Sequence, residues 1–181
     1  MTHARLMDGL RAFAVLWLAL LATLPAQAQQ IGGQNIRVAL VADGKPEPGK
    51  TWTVALHFTP KSEEWHGYWS NPGDAGAGMI LKWSLPEGWH AGEPLYPVPK
   101  TLTIADLMNH VFEGDYAVLV PIEVPEGASA SGPVALDVDY LACTDQICVP
   151  ERAQLTLDPT ASIPDKRFDE WRAALAPLLD R

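Results

Sequence analysis

From residue 34 onward, apolar and polar positions alternate in short runs. In NIRVALVA, Ile36, Val38 and Leu40 share one parity against Arg37, Ala39 and Val41, and in TWTVALHF so do Trp52, Val54, Leu56 and Phe58. A period of two places alternate side chains on opposite faces of a strand. EEWHGYWS, MILKWSL, DYAVLVPIEV, VALDVDYLA and ERAQLTL are five further strand candidates, punctuated by the Gly- and Pro-dense segments DGKPEPGK, NPGDAGAG, PEGWHAGEP and PEGASASGP. Seven short strands separated by turn chemistry, without intervening helices, predict an all-β sandwich. The period changes only near the end, where Phe168, Trp171, Leu175 and Leu178 fall at spacings of three and four opposite Asp169, Glu170 and Arg172. That stripe predicts a short amphipathic helix within residues 161–181, capped by Ser162 or Asp165 and stopped or kinked by Pro177. It is expected to cover an edge or an end of the sandwich.

The N-terminus follows a different rule. Arg5 and Arg11 precede the thirteen-residue apolar run AFAVLWLALLATL, then Pro25 and Ala26-Gln27-Ala28. A basic start, a short apolar centre and an A-x-A exit predict an export signal over residues 1–28, since a membrane span needs about 20 apolar residues. The mature domain is then expected over residues 29–160, followed by the helical segment 161–181. No membrane span is expected after cleavage. The whole chain has a formal charge of −9; removing the leader takes away two basic residues and one acidic one and leaves −10. So acidic a chain repels nucleic acid and anionic lipid headgroups, which makes a protein or small-molecule partner the expectation. Export also places its two cysteines where a disulfide persists.

Those cysteines lie in LACTDQICVPE, residues 141–151. Along VALDVDYLAC, Cys143 shares the parity of Asp137, Asp139 and Leu141, opposite Val134, Leu136, Val138 and Tyr140. Along CVPERAQLTL, Cys148 shares the parity of Arg152, Gln154 and Thr156, opposite Ala153, Leu155 and Leu157. Both are therefore expected to face away from the core, with Pro150 able to introduce a bulge. Joined by TDQI, they stand side by side across a hairpin, within reach of a disulfide. A closed loop this short removes only roughly 2 kcal/mol of unfolded-state entropy, so a bridge here is a weak staple. Asp139, Asp145 and Glu151 surround the pair in sequence against the single cation Arg152, which predicts sluggish thiols unless a partner assists them. The spacing is not C-x-x-C, so a thioredoxin fold is not indicated. Staple and reagent both remain open on these residues.

Other constellations are weaker. Trp65 and Trp69 share a parity and are expected in the core, with His66 and Tyr68 on the other face, where a role beside the cysteines is the minority reading. Asn71-Pro72-Gly73-Asp74 reads as a turn. His57, His66, His90 and His110, with Met79 and Met108, raise copper binding as an alternative, but none of the histidines has a recognised ligand spacing. The alternative function is thus a non-catalytic binding module, copper-linked or not, with a structural hairpin disulfide. Hydrolase and nucleotide motifs are absent from the sequence.

EWHGYWSNPGDAG, FEGDYAVLVPIEV and YLACTDQICVPE occur in the order and spacing of the periplasmic N-terminal domain of DsbD-like thiol:disulfide interchange proteins, and the chain resembles that domain from about Gln34 to Leu157. The resemblance implies an immunoglobulin-like sandwich, located in the periplasm, that needs no cofactor. It also implies that Cys143 and Cys148 pass reducing equivalents between a thioredoxin-like or membrane electron-donor protein and disulfide-bearing client proteins. By the same analogy Cys148 forms the mixed disulfide and Cys143 resolves it. The family shields its cysteines with a cap loop, which maps onto residues 106–114 and makes Leu107, Met108 or Phe112 the candidate lid. The family's acidic-aromatic cap sequence is not reproduced here, and the cysteine spacing is one residue shorter than in the best-known members. Those members fuse the domain to a multi-span transporter and a thioredoxin-like domain. This sequence shows neither pattern, so a stand-alone version with its donor in trans is expected.

Overall fold

The computed structural model describes residues 34–128 and 132–177. The expected signal segment, the start of the expected domain at residue 29, and Leu178 of the helical stripe lie outside them. Among these described residues ten strands form two antiparallel sheets. The first sheet has the order β1-β2-β8-β5 and comprises β1 (Ile36–Ala42), β2 (Thr51–Pro60), β8 (Tyr116–Glu123) and the two-residue β5 (His90–Ala91). The second runs β10-β9-β3-β7-β6: β10 (Cys148–Leu157), β9 (Val134–Cys143), β3 (His66–Gly73), β7 (Leu107–Glu113) and β6 (Lys100–Ile104), with β4 (Ile80–Ser84) also pairing to β9.

The expected parities fill the space between the sheets. Val38 and Leu40 of β1, with Val54, Leu56 and Phe58 of β2, pack in one buried cluster with Leu136 and Val138 of β9 and Leu155 of β10. This is the immunoglobulin-like β-sandwich, with one short helix. Trp65 lies in that core. Trp69 does not: it is half-buried and lies edge-on to His110, with ring centres 5.4 Å apart. Asn71-Pro72-Gly73 is not a simple turn either, because β3 continues to Gly73 across a register shift that begins at Tyr68. Gly73 carries the positive φ this requires, at 90°.

The largest departure from the sequence pattern is at residues 106–114. Instead of a loop, the chain forms a hairpin in which Ile104 faces Leu107 and Lys100 faces Val111. Ala105 and Asp106 turn it with φ of 49° and 67°, as a two-residue hairpin requires. An Ala-Asp pair lacks the glycine that normally advertises such a turn, so the sequence concealed it.

The helix α1 spans Arg167–Ala173. Neither Ser162 nor Asp165 occupies its N-cap: Lys166 does, without a side-chain bond, while Asp165 accepts from the Arg167 backbone N–H one position further in. Phe168 is fully buried against Ala55, Ala117 and Leu119, with Trp171 packed beside it. The helix therefore covers the outer face of β2 and β8, not an edge or an end of the sandwich. This is why Val54, Ala55 and Leu56 are all buried in succession.

Trp171 also lies over His57, ring centres 5.3 Å apart. Burial, then the Arg167 charge, hold this imidazole below its ordinary value, outweighing Asp115 at 3.5 Å. The unfolded chain therefore takes up this proton first as pH falls through about 6.5. Stability present above that pH is lost below it. Thermal melts between pH 7.5 and 5 should show a falling midpoint, and His57→Gln should flatten part of the fall; equal slopes for the two proteins would acquit the ring.

Candidate functional site

Cys143 ends β9 and Cys148 begins β10, directly opposite each other in register, with Cα atoms 4.1 Å apart and a disulfide between them. Thr144 organises the connecting turn: its N–H donates to the Ile147 carbonyl at 2.8 Å, and its Oγ1 accepts from the N–H groups of Gln146 and Ile147. Ile147 is left exposed at the tip.

Both cysteines project from the outer face of the second sheet, as their parity predicts, but only one meets solvent. Cys148 is exposed, whereas Cys143 has no accessible surface. The difference arises because β9 has two neighbours on its far side. β4 pairs with it from Ala135 to Asp139, and β3 then takes over, placing His66 opposite Cys143. Side chains of facing residues share a face, so β3 and β7 bring Tyr68 and Val111 around Cys143 in a small buried cluster flanked by Leu102 and Leu141.

Tyr68 is the principal cover. Its hydroxyl is 3.9 Å from the Cys148 sulfur, and its ring meets the His66 ring edge-on at 5.5 Å. Burial pushes the phenol above its ordinary value, so it remains a protonated donor beside the sulfur. Gly76 closes over the other side. A Cβ there would come within 2.2 Å of the Tyr68 ring, and the residue's φ is 87°. The NPGDAGAG segment, read from sequence only as punctuation, is therefore part of the site.

The three candidate lid residues separate. Phe112 is buried on the inward face, stacked 4.6 Å from Tyr116; its parity is opposite to that of Val111, and it is core rather than lid. Leu107 and Met108 are exposed at the start of β7. Leu107 has the parity of Val111 and hence the disulfide's side of the sheet, while Met108 has the other.

The acidic surroundings also sort themselves. Arg152 is hydrogen-bonded to Asp139, which Lys82 approaches at 3.8 Å, and the Arg152 bond holds the Asp139 carboxyl below its usual range. Glu151 turns inward and accepts from the N–H groups of Gln34, Asn35 and Ile36 and from the Asn35 side chain. Neither Arg152 nor Glu151 is thus free to tune the thiols, and Asp145 is the acid left in the cysteine turn. The four candidate copper-binding histidines are dispersed: His57 lies under α1, His66 beside Cys143, His90 on β5 and His110 against the Asn71 carbonyl. Among the described residues no three His, Cys, Asp or Glu side chains gather as a metal site.

The model of the family described as thiol:disulfide interchange protein DsbD, N-terminal, matches residues 34–160. The chain belongs to the DsbD N-terminal domain family. The DsbD N-terminal region thus takes in every strand, and the family and the Cys143–Cys148 disulfide together make this a thiol:disulfide exchange domain. The fold is similar to the crystal structure of the N-terminal periplasmic domain of ScsB from Proteus mirabilis, with a TM-score of 0.62 at 16% identity, covering 84% of this chain and 55% of that one. The chain thus spans about half the length of that ScsB structure. The DsbD N-terminal domain of Neisseria meningitidis in its reduced form aligns with a TM-score of 0.43 at 14% identity, covering 67% of this chain and 83% of that one. Comparison with curated protein sequences finds no match. Among the described residues of this DsbD N-terminal domain, no helix is long and apolar enough to cross a membrane.

Proposed function

We propose that this domain relays reducing equivalents in the periplasm from a thioredoxin-like or membrane-embedded dithiol donor to proteins carrying disulfides, with residues 1–28 serving as the export leader. The observation that supports this most directly is the asymmetry of the disulfide: Cys148 is exposed and Cys143 is wholly buried. An incoming thiolate needs a clear line to one sulfur, and the other sulfur then leaves. The donor thiolate attacks Sγ of Cys148, the Cys143–Cys148 bond breaks, and Cys143 departs as the thiolate. The donor's second thiol then displaces Cys148, so the donor becomes a disulfide and the domain a dithiol. Towards a client the sequence reverses: Cys148 attacks the client disulfide, and Cys143 resolves the mixed disulfide.

The test is to mix reduced Cys143→Ser and Cys148→Ser variants separately with a purified thioredoxin-fold protein that keeps only the exposed cysteine of its pair, activated as the thionitrobenzoate mixed disulfide, so that thionitrobenzoate leaves and nothing in the partner reverses the adduct. Cys143→Ser is expected to accumulate a covalent adduct that dithiothreitol releases, and Cys148→Ser to form at least tenfold less. Equal adduct from both variants, or adduct from neither, would remove the proposed order of attack.

A further inference from the structure

His66 is only 2% exposed, and its Nε2 has no hydrogen-bond partner among the described residues. An uncompensated buried ring nitrogen is costly, and beside a disulfide a redox or catalytic role accounts for such an atom. The register supplies that state. His66 stands directly opposite Cys143 on the adjacent strand, so the two side chains share a face with Cβ atoms about 5 Å apart. While Cys143 is in the disulfide its sulfur has no hydrogen to donate. Reduction gives it one.

We propose that His66 is the acid–base partner of Cys143, taking the proton from its thiol when Cys143 attacks and returning it when Cys143 leaves. The inference rests on the exchange reading above and deepens it. In the resolving step the neutral imidazole accepts the Cys143 S–H proton as the sulfur attacks Cys148 in the mixed disulfide; the Cys143–Cys148 bond forms and the client thiolate departs. In the opposite direction a donor thiolate takes Cys148, the intramolecular bond breaks and Cys143 leaves as the thiolate; the proton given up by the donor's second thiol, as it displaces Cys148, reaches Cys143 through the imidazole. Each direction moves two electrons between the domain and the named dithiol or disulfide, with one proton held at His66.

The surroundings suit a neutral base. Burial lowers the ring below its ordinary value, offset in part by Asp145 in the cysteine turn and by Glu113, which faces it from β7. Tyr68 holds the ring edge-on from its own strand, and Cys143 faces it from β9. Such an imidazole is available as a base at neutral pH, while an unassisted thiol titrates only near 8.5. A buried resolving cysteine has no water to take its proton, which is why a neighbouring base matters for Cys143 and not for exposed Cys148.

The experiment follows the release of thionitrobenzoate when reduced protein reacts with Ellman's reagent, from pH 5.5 to 9. The first equivalent reports attack by Cys148, and the second reports resolution by Cys143. In the wild type the second phase is expected to stay nearly flat from about pH 8.5 down through about 6.5, because burial holds the imidazole below its ordinary value and keeps it neutral over that range. In His66→Gln it should fall about tenfold per pH unit over that range, following the thiolate fraction. The first phase should be alike in both. Parallel second-phase profiles would overturn the role of His66 and leave the exchange reading standing; no release from the wild type would overturn both. Should His66→Gln not fold, nitrogen-15 spectra of the wild-type imidazole decide. Nε2 is expected to shift on reduction of the disulfide, and an Nε2 resonance indifferent to redox state would sink the proposal.

Discussion

Glu151→Ala is expected to destabilise the domain by about 4 kcal/mol, a large fraction of the 5–15 kcal/mol typical of a domain. One buried carboxylate gathers three consecutive backbone N–H groups, those of Gln34, Asn35 and Ile36, and the Asn35 side-chain amide, at 2.8 to 3.3 Å. Lys61 Nζ donates to the side-chain oxygen Oδ1 of Asn35, and the Tyr140 hydroxyl donates to the Ile36 backbone carbonyl. The entry of the chain into β1 is therefore pinned to β10 three residues beyond Cys148. Hydrogen bonds to an ionised group contribute roughly 1.5–3 kcal/mol each but do not add fully. Alanine removes both acceptor oxygens and leaves buried donors without these partners. Glu151→Gln keeps one acceptor oxygen and should lose about half as much. Urea denaturation at pH 7 measures both; a loss under about 1 kcal/mol for alanine would mean that water replaces the carboxylate and the clasp is incidental.

The second large effect is expected at Tyr68. Tyr68→Ala should cost about 3 kcal/mol and speed reduction of the disulfide by dithiothreitol at least tenfold, because the ring both fills the Cys143 cluster and screens the sulfurs. Tyr68→Phe keeps the ring and should change the reduction rate little. Gly76→Ala tests the same cover without truncating it. Its new Cβ would fall within 2.2 Å of the Tyr68 ring, on a backbone whose φ of 87° disfavours any side chain. The tyrosine must move, and faster reduction should accompany the loss of stability. If reduction by the small thiol is as slow in Tyr68→Ala and Gly76→Ala as in the wild type, the cover lies elsewhere, and Leu107 on the same side of the sheet is the next residue to examine.

Strand parity was legible wherever one face of a strand meets the core and the other meets water. Ile36, Val38 and Leu40 and the Trp52, Val54, Leu56 and Phe58 set all turn into the core for that reason. Parity failed where a strand is covered on both faces. Ala55 and Leu119 are buried by a helix more than 45 residues further along the chain, and Cys143 is buried by β3 and β7 on the face that its acidic neighbours marked as wet. Phe112 failed as a lid because its segment forms a strand, and the parity of that strand turns it inward.

The sequence by itself determined the sandwich, the pairing partner of each cysteine and the direction in which both project, since these follow from period-two patterning and a four-residue connection. Only the tertiary structure decided which sulfur is reachable. That depends on which strand lies beside the end of β9, a contact between residues 77 positions apart in the chain, Cys143 and His66. Local periodicity carries no information about such neighbours. The difference between an exposed and a buried sulfur, and the histidine placed against the buried one, arise from strand order and not from strand pattern.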